Sequence, residues 1–289
     1  MSIILALLLQ VGPNPMGGAM PGDELVRDRP PRAEQAAAGE ELNATSAWLV
    51  SCFDLLAEDP ARAHTMAQIR RAETTGADRV LANHCLGTAS SELGLWDDAR
   101  AGFVAAREET PAEETRTRAR FAALAGNAAL AGGDPAGALD LLALAESDAR
   151  TAADATLAAL ANIDKARALV ALGRGDEALA ALDAATTLAP ERGEGWLLKA
   201  TLLRRLGQLD TAQAAIEQAA VRKPADPEIG LEAGVIAVLA GRDDAARQSW
   251  LSVVALGPGP AAETAQEYLA QLPPAEETSP AAPPTEEQS

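Results

Sequence analysis

Cys52, His64, His84 and Cys85 are the only cysteines and histidines in the chain, and together they form a numerical Cys2His2 set. Zinc sites of that composition bring their ligands in closely spaced pairs, because two ligands must rise from one turn or hairpin. The spacing here fits no such pattern. A nucleophile reading also fails: Ser51-Cys52 has no elbow glycines around it, and no Gly-rich loop follows a strand to cradle phosphate. Acidic residues such as Asp97, Asp98, Asp176 and Glu177 fall where solvated helix faces and helix N-termini want them. No catalytic residue, metal ligand or cofactor is expected, and the chain reads as non-enzymatic.

Composition narrows the classes further. A net charge of −18 over 289 residues argues against a nucleic-acid surface and against basic patches for anionic lipid. Aromatics are only 3% of a chain that is 48% hydrophobic, so the core must be built mainly from Ala, Leu and Val. That suits close helix packing and not a β-sandwich. Three lysines (Lys165, Lys199, Lys223) against many arginines, with abundant alanine, match the residue usage of a GC-rich bacterial genome.

The elements that would position any site are written in a repeat of 34 residues over 159–258. Small residues recur as Ala166, Ala200 and Gly234, and turn glycines as Gly173, Gly207 and Gly241. Ala178, Ala212 and Ala246 follow, then a bulky column of Leu182, Ile216 and Trp250. Ala185, Ala219 and Val253 come next, and Pro190, Pro224 and Pro258 close each copy. Apolar residues at three- and four-residue spacing, such as Trp196, Ala200 and Leu203, predict a helix before each glycine. The glycine ends that helix by entering the left-handed region cheaply. A second helix is predicted over about 209–221, ended by Pro224, which cannot continue it. The small residues let the two helices approach; Trp196 and Ile216 fill the space between pairs.

This pattern resembles the tetratricopeptide repeat, a helix–turn–helix of 34 residues. Residues 193–226 match its signposts at Trp196, Ala200, Leu203, Gly207, Ala212, Ile216, Ala219 and Pro224, and depart at Lys199, where the family usually has leucine. Residues 80–113 match at Leu86-Gly87, Gly94, Trp96, Ala99, Phe103, Ala106 and Pro111. Residues 119–152 match at Gly126, Gly133, Ala138, Leu142 and Ala145, with Arg150 in place of proline. From Gly126 to Ala166 the spacing is 40, which predicts a local lengthening near 153–157. The implied fold is all-α: a right-handed tetratricopeptide-like α-solenoid of five to six stacked helix pairs. Its units are 80–113, 119–152, 159–192, 193–226 and 227–260, with a divergent N-terminal repeat or cap over 34–79, where Asp59-Pro60 opens a helix. A capping helix is expected over 261–272, and a disordered Pro/Glu-rich tail over 273–289.

Residues 1–33 stand apart. The apolar run 3–9 is too short to span a bilayer, which takes roughly 20 residues, so no integral membrane span is expected. It reads as the apolar region of a signal peptide with cleavage near Ala19, although no basic residue precedes it; a helix-docked terminus is the alternative. Residues 11–33, rich in Pro and Gly, read as a flexible leader. Export would make the protein periplasmic; without it the protein is cytoplasmic.

The resemblance also places Cys52 and Cys85 on the first helices of neighbouring units, side by side. They form a disulfide if their Cα atoms come within about 7 Å and the compartment is oxidising, and are otherwise two buried thiols. The family's peptide-binding register falls on Leu81, His84, Thr88, Arg120, Asn127, Ile163, Arg167, Leu197, Thr201, Arg204, Arg205, Leu231 and Val235. This lining is mostly apolar with arginines able to pair with carboxylates, and it lacks the Lys/Asn/Arg clamp by which some relatives grip chaperone tails. The expected function is a protein-interaction scaffold that holds an unidentified peptide or protein in a concave groove. An envelope or assembly subunit using convex or end-on contacts is the alternative. The oligomeric state is not readable.

Overall fold

The computed structural model describes residues 47–274. Readings that fall on the apolar run, the leader, the onset of helix near Glu34 and the tail beyond 274 lie outside the described residues. Within them, the chain is a right-handed solenoid of antiparallel helix pairs, with no strand among the described residues. The pairs are α1 (residues 47–58) with α2 (Pro60–Glu73), α3 (Gly76–Glu92) with α4 (Trp96–Glu109), and α5 (Thr115–Ala131) with α6 (Pro135–Thr151). They continue as α7 (Ala155–Ala171) with α8 (Gly175–Leu188), α9 (Gly193–Arg205) with α10 (Leu209–Arg222), and α11 (Pro227–Leu239) with α12 (Asp243–Ala255). A last helix, α13 (Pro260–Gln271), packs on α12 and α11.

Local chemistry explains the boundaries. Prolines 60, 135, 227 and 260 sit in first turns, where their missing N–H would have no partner anyway. Asp59, Asp134, Asp154 and Asp226 cap their helices by accepting from Arg62 N (3.0 Å), Gly137 N (2.8 Å), Leu157 N (3.0 Å) and Glu228 N (3.1 Å). The hairpin glycine Gly207 has φ +76°, and Gln208 N then donates to Leu203 O at 2.9 Å, closing a Schellman turn.

The lengthening predicted near 153–157 is helical. α6 runs 17 residues where α8 has 14, and α7 runs 17 where α9 has 13. Without a proline at the position held by Arg150, α6 continues to Thr151. The turn that follows repeats the glycine-turn hydrogen bonds, Asp154 N to Ala149 O at 2.9 Å, but puts Ala153 at φ +52°.

Inside each pair the small column faces the bulky one sixteen residues later. A Cβ placed on Gly87 would lie 2.7 Å from the Phe103 ring, and one on Gly126 would lie 2.6 Å from Leu142. On Gly234 it would collide with the Trp250 indole. Opposite Leu182 and Ile216 the small residue is alanine (Ala166, Ala200), and all four side chains are buried. Burying Leu182 or Ile216 fully is worth about 2 kcal/mol each. Lys199, the departure from the family pattern, lies over the Trp196 ring at 5.4 Å and pairs with Asp183 at 2.7 Å. Arg222 covers the same ring at 5.0 Å, and the indole N–H donates to Pro190 O at 2.9 Å, tying one repeat to the one before.

Candidate functional site on the inner helices

The odd-numbered helices from α3 to α11 form the inner row. α5 packs directly on α7 and α9 on α11, whereas α7 and α9, like α3 and α5, stand further apart. A polar ladder crosses the row. Asn127 Nδ2 donates to Asp164 Oδ2 (3.0 Å), Arg167 pairs with Asp164 (2.5 Å) and with Glu194 (2.7 Å), and Arg204 pairs with Glu232 (2.6 Å). Asp164 is 8% exposed, and burial holds its carboxyl above the usual 3.8 despite Asn127 and Arg167. Two of the arginines read from sequence as ligands for an incoming carboxylate, Arg167 and Arg204, are therefore already committed to the chain's own acids.

The remaining positions divide. Arg120 and Arg205 are exposed, with no carboxylate at ion-pair distance among the described residues. Thr88 is half-buried and donates to His84 O at 3.0 Å. Leu197 packs on the Ile216 core and Leu231 on the Trp250 core, each half-exposed. Ile163 is a correction: it is 1% exposed and belongs to the core, in a cluster with Ala159, Ala166, Leu182 and Leu202. His84 stands edge-on to Phe53 (5.4 Å between centroids) and Phe121 (5.2 Å), with Phe103 at 6.4 Å. Its burial there lowers its pKa below 6.5.

Between α7 and α9 opens a cleft of about 220 Å3. Val170, Leu182, Leu198 and Leu202 wall it, with Thr201 and two exposed arginines, Arg205 and the ladder's Arg167, at its edge. Sequence reasoning found Arg167, Thr201 and Arg205 but missed the apolar wall of Val170, Leu198 and Leu202, and it missed the acids of the ladder. A signal for those acids was present: Asp164 and Glu232 occupy one repeat column, two copies apart, and Asp164 lies one helical turn before Arg167.

At the N-terminal end, Cys52 and Cys85 are joined through their sulfurs, with Cα atoms 6.4 Å apart in a core patch with Ala67 and Leu86. Among the described residues, no group of three or more His, Cys, Asp or Glu side chains is placed to hold a metal ion. No helix of the described residues is long and apolar enough to cross a membrane.

A family model for the tetratricopeptide repeat matches residues 163–212 and again 197–263, which contain the cleft and most of the ladder. Residues 163–263 carry tetratricopeptide repeats. The stacked helix-pair fold extends beyond that match, and solved structures share it over more of the chain. PilW, a widely conserved type IV pilus biogenesis factor, is 16% identical with a TM-score of 0.61, covering 77% of this chain and 98% of that one. The pilF protein of Pseudomonas aeruginosa is 15% identical with a TM-score of 0.59, over 79% of this chain and 97% of that one. BtubC (BKLC) from P. vanneervenii is 14% identical with a TM-score of 0.55, over 87% and 98%. At such identities the likeness is one of fold. Comparison with curated proteins returned no match.

Proposed function

We propose that the protein is a non-enzymatic scaffold that binds a peptide or protein segment along its inner helices. The carrying observation is the cleft between α7 and α9, where Val170 and Leu198 stay partly open to solvent beside Arg205, a guanidinium with no acid at ion-pair distance among the described residues. Stacked repeats hold such a surface in place before binding, so little conformational entropy is lost when a partner docks. In an affinity isolation from the native host, Val170→Asp with Arg205→Glu should lose the bound partner while the melting temperature holds. Retention of the same partner by this variant contradicts the groove.

The second reading, an envelope or assembly subunit working through outer or end-on contacts, draws on exposed apolar residues of the outer helices: Leu144 on α6, Val221 on α10 and Leu251 on α12. Leu144→Asp with Leu251→Asp should leave the partner bound under the groove reading and release it under this one. Periplasmic residence is part of the proposal and rests on the Cys52–Cys85 bridge, which persists only in an oxidising compartment. Two alkylatable thiols in protein taken from its host would contradict it.

A further inference from the structure

The net charge of −18 is unevenly shared between the two layers of the array, and the inner layer carries the opposite sign at its centre. α5 holds Arg116, Arg118 and Arg120 with no acid, a net +3; α7 is +1 and α9 is +2. The outer helices α4, α6, α8 and α10 carry −2, −2, −3 and −1. An inner row that only needed solubility could take acids as the outer row does. Most of these inner cations are spent on internal partners: Arg116 on Asp154, Lys165 on Glu146, Arg167 on Asp164 and Glu194, Lys199 on Asp183, Arg204 on Glu232. Arg205 is not, and it stands at the edge of the apolar cleft.

Resting on the groove reading above, we infer that the α7–α9 cleft takes an internal segment of a partner carrying an apolar side chain beside a single acidic one. The apolar group enters between Val170, Leu198 and Leu202, and its carboxylate neighbour meets the Arg205 guanidinium, with the Thr201 hydroxyl beside it. One uncommitted guanidinium matches one side-chain carboxylate. A free chain terminus brings a second charge at the same point, where the other guanidinium of the cleft, Arg167, already has its charge countered by Asp164 and Glu194. The acidic outer helices α4, α6, α8 and α10 repel the same partner, α2 with Arg62, Arg70 and Arg71 against Glu73 being the basic exception at the N-terminal end. Along the centre of the array the charge pattern therefore favours the inner face.

The test is selection of random peptides displayed as internal segments between flanking domains, panned against the full-length protein. Selected sequences should pair Leu, Phe, Ile or Val with Asp or Glu, and a winning sequence made as an acetylated, amidated peptide should bind equally well. Arg205→Glu should weaken it about ten-fold, and Arg205→Lys should restore part of the loss. Arg205 is exposed, so neither substitution should change the melting curve. Selected peptides that lack acids, that bind undiminished to Arg205→Glu, or that need a free C-terminus overturn the inference and leave the groove reading standing. If no peptide is selected, the inference falls as well; whether the groove falls with it is decided separately, by the partner-retention experiment on Val170→Asp with Arg205→Glu.

Discussion

At the scale of single residues the array is a set of size and conformation matches, and each can be broken or repaired. Ala153 holds φ +52° in a turn where the hairpin turns use glycine, such as Gly173 and Gly207. Ala153→Gly should therefore stabilise by about 1 kcal/mol, read as a rise in melting temperature, and Gly207→Ala should lower it by a similar amount. Gly234 faces Trp250 as Ala200 faces Ile216. Gly234→Ala should cost about 1–3 kcal/mol by overpacking, and Trp250→Leu in the same chain should recover part of it, which a double-mutant cycle measures. His84 supplies a pH dependence. Burial among three phenyl rings lowers its folded pKa below the unfolded 6.5, so the unfolded chain binds the proton more readily. Its contribution is present above pH 6.5 and lost as the pH falls through the folded value. His84→Leu should flatten the slope of stability against pH in that window. Asp164 acts with the opposite sign, its raised folded pKa favouring the fold below 3.8 and losing that contribution as the pH rises through the folded value.

At the scale of elements, the sequence made the regular repeats plain because each column has one structural job. Gly207 breaks a helix, Pro224 prevents its continuation, and Ala212 and Ala219 keep a pair close, so three copies in register fix a helical hairpin without any tertiary information. Two things were less readable. The extra residues before α7 could have formed a loop or a helix; Asp154 as a cap and Ala153 as an unusual left-handed residue resolve them into longer helices, and neither carries the glycine that marks the other turns. The inner face was readable in position but not in commitment. Register places Arg167 and Arg204 on the groove, yet whether an arginine is free depends on acids one repeat away, which a pattern read within a single repeat does not reveal. The N-terminal pair α1–α2 lacks the glycine columns, and the Cys52–Cys85 bridge ties α1 to α3 across it. Closing a loop of 33 residues stabilises by about 4 kcal/mol in the chain-entropy model, so reduction or Cys85→Ala should loosen this end first. Hydrogen exchange should then rise in α1 and α2 while α7–α12 keep their protection.

At the scale of the whole molecule, the described helices form a scaffold whose two layers differ in charge at the centre of the array, with an apolar cleft between α7 and α9 in the inner layer. Each repeat contacts mainly its neighbours, so damage stays local and a face can be altered without losing the fold. The central claim is that a partner lies on that inner face. It is tested most directly by placing a photo-crosslinking amino acid in the native host at Thr201, beside the cleft, and in parallel at Leu144 on the outer α6. The account predicts a discrete crosslinked partner from Thr201 and none from Leu144. Crosslinks from Leu144 with none from Thr201 would contradict it and move the working surface to the outer helices.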